Sequence, residues 1–442
     1  MISKNIRKFN KGLLSFLDAS PTPFHAVKNQ IKLLEKSNFQ CLSESEIWTL
    51  VPGHKYYVTR NNSALIAFIY GKEDVKDTGI RLFGAHTDSP CLKVKPNAEI
   101  ISHSYLQLGV EVYGGALLNP WFDRDLSLAG RVVYCDNKNN MYSVLIDFKK
   151  PIASIPSLAI HLDREANKKR SINSQTDLPP VLMRFDEQDS GGDLNTILKK
   201  QLKKQYKNIE IKRILEHELG FYDTQEASYI GINEDFIASS RLDNLLSCYI
   251  GTQALCCSDS QITRLLVCSD HEEVGSASTT GAQGSFLKSV LERLSDSAES
   301  LSCIIDRSML ISADNAHAIH PNFADRHDTK HGPIINQGPV IKVNANQRYA
   351  SNSETAAIIK LMADKGNIPL QNFVVRTDLG CGSTIGPITA TEIGIKTLDI
   401  GVPTFAMHSI RELCGDEDAW YLYELINMFF DASNTISVKE KS

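Results

Sequence analysis

The stretch LLVCSDHEEVGS, residues 265–276, runs an apolar segment straight into Asp270, His271, Glu272 and Glu273. Adjacent carboxylates repel each other and are costly to take out of water. Such an ending is either washed by solvent or built around a cation. The pattern recurs along the chain. RLFGAHTDSP ends a strand-like run in His86 and Asp88, LISADNAHAIHP ends one in Asp314, and LDIGVPTFAMHS carries His408 soon after another. SSRLDNLLSCYIG sets Asp243 in the first turn of an expected helix. Ligands of open α/β sheets bind beyond the carboxyl ends of the strands. Several strands that deliver histidine or carboxylate to one edge therefore point to a shared metal site.

Imidazole and carboxylate without thiolate suit Zn²⁺, with Mn²⁺ or Co²⁺ as substitutes. One catalytic zinc takes three protein ligands. The candidates exceed that number and fit two ions about 3.5–4 Å apart sharing a bridging carboxylate. The His-x-Asp spacing lets Asp88 take the second N–H of His86 and so set its tautomer. Each residue alone has an ordinary reading, as a loop histidine or a solvated glutamate pair, and His317 and His320 in NAHAIHP read equally well as turn residues. Their coincidence at matched strand ends favours metal-assisted hydrolysis. The chain has no HExxH and no GxSxG, and DLGCGSTIGP lacks the Gly-Lys-Ser/Thr of a phosphate loop.

The elements that must position these residues alternate helix and strand. AVKNQIKLLEKSNF reads as a helix, and ALIAFIY and IRLFGAH as strands. YLQLGVEVYGG, GRVVYC and MYSVLIDF are short, β-branched and glycine-punctuated, and a polar stretch follows over 163–210. Then ITRLLVCSD, MLISADNAH, FVVRTDLG and IKTLDIG read as strands, and SETAAIIKLMADKG and AWYLYELINMFFDASNTI as helices. The parse is an α/β catalytic domain with a mixed sheet and helices on both faces, residues 1–91 and 236–442, interrupted by a β-rich inserted domain at 92–235.

The 442 residues are 42% hydrophobic and 22% charged, as expected of a globular chain. A net charge of −5 argues against nucleic acid as a partner. The basic run KKQLKKQYK alternates with apolar residues and reads as a solvated helix face. Ten cysteines without a CxxC pair read as reduced thiols in a cytoplasmic protein. The first twenty residues place Ile6, Phe9, Leu13, Leu14 and Leu17 at helical spacing, an amphipathic helix instead of a signal peptide. No run reaches the roughly 20 apolar residues of a membrane helix.

The motifs GAHTDSPCLKVKP, SRLDNL, HEEVGS, SADNAHAIHPN, KVNANQRYASN, GSTIGPI and AMHSIRE, in this order, resemble the aspartyl aminopeptidase family, and a bacterial member of it. The resemblance runs from ASPTPFHAV to SIRE, nearly the whole chain. It implies a zinc aminopeptidase with two ions per subunit: His86 and Asp314 on one, Glu273 and His408 on the other, and Asp243 bridging. Glu272 matches the general base and Asp88 the residue that orients His86. His317, Lys342 and Tyr349 match substrate-contacting positions, Lys342 implied to attract an acidic first side chain. His161 matches a histidine that reaches a neighbouring subunit's site, with a metal-ligand role as the alternative. The family forms dodecamers, so the implied partners are peptides with a free N-terminus and further copies of the chain. The residue pattern leaves two other readings open. One is a deacylase or carboxypeptidase on the same scaffold. The other is a non-catalytic, metal-stabilised shell that binds or chaperones, against which the spare carboxylate of Glu272 argues.

Overall fold

Four neighbouring parallel strands, Thr263–Ser269, Ile80–His86, Met309–Ala313 and Lys396–Gly401, form the heart of a nine-stranded mixed sheet in this computed structural model. The structure describes residues 2–185, 193–259, 261–432 and 438. Three of these four strands, Ile80–His86, Thr263–Ser269 and Met309–Ala313, are buried at every position, as parallel strands covered on both faces must be. Antiparallel strands Ala64–Ile69 and Lys55–Arg60 extend one side, and Val340–Lys342 followed by Gln371–Phe373 the other.

Helices supply the apolar cover. Leu242–Cys257 packs with Asp418–Asp431 and Pro23–Lys36 in one core, while Phe286–Arg293 and Ala298–Arg307 contribute Leu287, Val290, Leu291 and Ile304 to another. The amphipathic N-terminal helix forms over Ile2–Asp18 and buries Ile6, Phe9, Leu13 and Leu17. The result is a mixed α/β fold. FVVRTDLG, residues 373–380, was expected to be a strand, but only its first residue lies in one, Gln371–Phe373, which pairs with the equally short Val340–Lys342. The last four residues of AWYLYELINMFFDASNTI, 433–436, lie outside the described residues, as do 186–192 within the polar stretch.

The chain divides into two compact units: 1–88, 227–407 and 412–442 in the first, and 89–226 with 408–411 in the second. These bounds differ from the expected insertion at its end. Ser228–Ile230 pairs with Phe236–Ser239 in a five-stranded sheet of the first unit, and so does not belong with the inserted residues. The second unit is built on a six-stranded antiparallel sheet that includes Cys91–Ser102, Leu126–Cys135 and Arg213–Asp223. Its core gathers Leu92, Leu128, Val132, Ile146, Leu198 and Phe221, with Ile410 from the returning segment.

Candidate metal centre

The register brings three strand ends to one place. Ser269 is level with His86 across a parallel ladder, and Ala313 follows Ser312, which is level with Gly84. Asp314 then leaves the sheet, its N–H donating to Ile400 O at 2.9 Å. Gly401 permits that approach, since a Cβ there would overlap the Asp314 carbonyl. Beyond Ser269 the chain turns at His271, in left-handed conformation, into a single turn at Glu272–Val274. That turn is held by Ser276 N–H on His271 O (2.8 Å), by Asp270 N–H on Thr280 O (3.0 Å) and by a 2.8 Å contact between His271 Nδ1 and Ser278 Oγ.

Asp88 pins the same turn from the neighbouring strand. Its Oδ1 accepts the Glu272 N–H and its Oδ2 the Glu273 N–H, each at 3.1 Å. Asp243 does not sit in a regular first helical turn as expected. Its backbone is extended (φ −82°, ψ 105°), it follows left-handed Arg241, and its peptide bond to Asn244 is cis. The regular helix begins after it. Its N–H donates to Glu412 Oε2 at 2.9 Å, and Asn244 Nδ2 donates to Ala313 O at 2.7 Å, which fastens the helix start beside the strand that delivers Asp314.

His86 is the hub. Its Nδ1 lies 3.0 Å from the Asp88 carbonyl and 3.3 Å from Asp88 Oδ1, both acceptors, so this nitrogen carries the proton. Its Nε2 is buried without a hydrogen bond and faces Asp243 Oδ1 at 3.5 Å, Asp314 Oδ1 at 3.6 Å and Glu272 Oε2 at 3.9 Å. These separations are long for hydrogen bonds. Two ligands about 2.0–2.1 Å from a shared tetrahedral zinc would lie about 3.3–3.4 Å apart, which is close to what is seen. Ligand atoms of His86, Asp243 and Asp314 gather within 4.8 Å of one another, as do those of His86, Glu272 and Glu273.

Electrostatics point the same way. Burial opposes a charged His86, but side-chain contacts with Asp243, Asp314 and Asp88 outweigh it and raise its pKa well above the ordinary histidine range. Burial pushes Glu272 up to about 8, and burial with the nearby Asp243 charge pushes Glu273 well up. A buried group of carboxylates around one imidazole must either take up protons or hold a cation. An imidazole lone pair and several carboxylate oxygens, with no thiolate among them, are a donor set that zinc accepts.

The remaining expected site residues divide. Lys342 is 2% exposed, and its ammonium donates to Asp314 Oδ2 and to Asn315 O, both at 3.0 Å. Two of its three N–H donors thus serve a candidate metal ligand and its neighbour. Its nitrogen lies 5.1 Å from the ring centre of Tyr349, which is itself buried beside Phe373. His317 is exposed and meets the edge of Phe373 at 5.9 Å. His408 and His161 belong to the second unit. His408 Nδ1 lies 3.2 Å from Gly115 O, so its proton is on Nδ1 and its lone pair on Nε2. His161 stands in an exposed turn among exposed Leu158, Ile160 and Leu162. Asn244, Glu412 and the Asp88 bonds to the glutamate turn escaped the sequence reading. Each acts across long sequence separations, and no local pattern marks them.

An α/β sheet whose strand ends converge on imidazole and carboxylates defines a metallopeptidase-like centre. Residues 16–430 match the model of the Aminopeptidase I zinc metalloprotease family (M18). The chain is 55% identical over 421 residues to a probable M18 family aminopeptidase 2 of Pseudomonas fluorescens (strain SBW25), covering 95% of this chain and 97% of that one. The Azotobacter vinelandii protein of the same description is 54% identical over 96% of this chain and 98% of its own length. Among solved structures, a chain of the Ape4 and Nbr1 complex superposes with a TM-score of 0.95 at 39% identity, over 99% of this chain and 88% of that one. The S. cerevesiae mApe1 dodecamer gives 0.83 at 28% identity, over 98% and 97%. The chain belongs to the M18 family of aminopeptidases. It is a zinc metallopeptidase that removes residues from the amino end of peptides.

Proposed function

We propose that the centre works with two zinc ions, Asp243 bridging them, His86 and Asp314 completing one site and Glu273 and His408 the other, and that it prefers acidic first residues. The observation that carries this reading is the surplus of ligands around His86, together with a further carboxylate, Glu272, on the same pinned turn. Zinc, when bound, supplies Lewis acidity and lowers the pKa of water. The chain's own residues do the rest. Glu272 Oε accepts the proton of the attacking water and returns it to the leaving amine. Asp88 holds the Nδ1 proton of His86 and fixes the Glu272 backbone, so the base is positioned before substrate arrives. The second metal site, with its nearby carboxylates, would hold the substrate's free α-amino group. Lys342, beside Asp314, attracts an acidic first side chain, and His317 and Tyr349 contact the substrate.

The chain is further read as a cytoplasmic homododecamer in which His161 reaches a neighbouring copy's site. The exposed apolar side chains on both sides of His161 support burial against another copy. Its cysteines are free thiols, and no helix among the described residues is long and apolar enough to cross a membrane. The test is metal analysis of the purified protein with hydrolysis of Asp-, Glu-, Leu- and Ala-initiated peptides, amino termini free and blocked. Two zinc per chain and fast release of Asp or Glu from free termini only are expected. One zinc per chain refutes the paired-ion reading, equal rates refute the acidic preference, and cleavage of blocked peptides would favour a deacylase.

A further inference from the structure

A cavity of about 310 Å³ opens in the first unit, beginning at His317, three residues past Asp314. Its polar wall is Arg326, Arg376, His317, His320 and His327, and no acidic side chain lines it. Asp378 binds Arg376 through two contacts, at 2.8 and 2.9 Å, and so offsets one guanidinium, which leaves the wall net positive. Two of the imidazoles, His320 and His327, are held in defined tautomers. His320 Nδ1 accepts the Asn322 N–H at 3.2 Å and His327 Nε2 accepts the His320 N–H at 3.3 Å, so each ring keeps one N–H to donate. His320 is wedged against Phe323 and Phe405, with ring centres 4.9 and 5.5 Å away. The opposite character comes from Phe373, Val375, Leu379 and Phe405, which give the cavity an apolar side.

A ligand that satisfies both sides carries a carboxylate and an apolar body. The side chain of an N-terminal aspartate is a carboxylate on one methylene and would leave the apolar side unfilled. The last residue of a short peptide has both parts, its α-carboxylate and its own side chain. Cavities of this size, apolar with a few placed polar groups, are ordinary small-ligand sites. We infer that this cavity receives the carboxyl-terminal residue of a dipeptide or tripeptide, with Arg326 reading its α-carboxylate, so that the enzyme favours very short peptides with a free C-terminus. The inference rests on peptide hydrolysis at the metal centre, whose candidate ligand Asp314 precedes His317 by three residues, and adds to it the recognition of the leaving end.

The experiment compares Asp-Leu with Asp-Leu-amide in the zinc-loaded enzyme and in Arg326→Met. A hydrogen-bonded charge pair is lost in the amide, so kcat/KM should favour the acid by roughly tenfold to a hundredfold. The ratio should collapse toward one in Arg326→Met. A ratio near one in the unaltered enzyme overturns the inference, and so does a ratio that Arg326→Met leaves unmoved. If the variant instead loses rate according to the first residue, Asp against Ala, the cavity reads that side chain and the inference also fails. Hydrolysis of neither peptide would count against the hydrolytic reading and not against the cavity. The cavity is then decided by NMR titration of the unaltered protein with N-acetyl-leucine and N-acetyl-leucinamide, following the His320 and His327 ring signals. The same titration decides the case if Arg326→Met melts early. Tighter binding of the acid with shifts at both rings supports the inference, and equal binding or no shift overturns it.

Discussion

Lys342 Nζ lies 3.0 Å from Asp314 Oδ2, with the lysine side chain 2% and the aspartate side chain 12% exposed. The pair leaves the other carboxylate oxygen, Oδ1, facing His86. An ammonium in this position orients a ligand as an outer partner does in metal sites. Lys342→Met should therefore weaken zinc binding or lower kcat/KM by about 10–100-fold, the usual worth of such a partner. The part of the loss that comes through Asp314 should fall on peptides with neutral and acidic first residues alike, and the direct contact proposed for Lys342 should add a further loss for acidic ones. Zinc titration with a competing chelator, run beside a peptide panel, checks this. Full zinc affinity with a loss confined to Asp and Glu peptides would show that the Asp314 contact is incidental.

Glu272 and Glu273 share one turn but are proposed for different work. Glu272→Gln should keep both metal and melting temperature while turnover falls by about 10²–10⁴-fold, the range of a positioned general base. Glu273→Gln should instead lose metal. Mass spectrometry under native conditions, with single-turnover rates, separates the two. A metal-replete Glu272→Gln with ordinary turnover would remove it from the mechanism.

Asp243→Asn should reduce occupancy of both ions, because a bridging charge is shared, whereas His86→Ala should affect chiefly one. Counting zinc per chain in the two variants is enough. Loss of the same single ion in both would show that Asp243 does not bridge.

His161→Ala and Glu272→Gln should each be nearly inactive as pure assemblies. Mixed assemblies should regain activity, because some sites then combine an intact Glu272 with a His161 donated by another copy. Verified mixtures that stay inactive would confine His161 to its own subunit.

Asp418 offers a test away from the metals. Burial raises its carboxyl to about 7 against the opposing N–H bonds of Asn336 and Gly338. In the unfolded chain it ionises near 3.9. The folded state therefore holds this proton more tightly, and its contribution to stability is full below pH about 4 and is lost as pH rises to about 7. Urea unfolding between these limits should show a fall with pH that Asp418→Asn lacks, after the slope common to both proteins is subtracted. Parallel slopes would mean that Asp418 is already ionised in the fold.

What was legible in the sequence was the set of strand ends. An apolar run that stops at His86, at Asp270–Glu273 or at Asp314 carries its meaning locally, since a buried strand and its polar terminus are adjacent in the chain. The supports were not legible. Asn244 reaches Ala313, Glu412 reaches Asp243, and Lys342 reaches Asp314 only once the sheet has set its order. Lys342 in a short β run reads from sequence as a surface lysine or a substrate contact, and only the fold reveals its neighbour. The sequence SSRLDNLLSCYIG reads as a helix with Asp243 in its first turn. The extended backbone at its start comes with a tie to Glu412, which no helix propensity reports.

The strand order has a consequence for how the protein comes into being. Ile80–His86 finds both of its sheet neighbours only after Thr263–Ser269 and Met309–Ala313 have been made. Until then this strand, apolar but for Arg81 and its final His86, waits with bare edges, a state open to misassociation. The second unit draws nearly all of its residues from 89–226 and can close first. The order of synthesis therefore lets the second unit close before the central sheet of the first, whose four parallel strands are complete only once Lys396–Gly401 has been made.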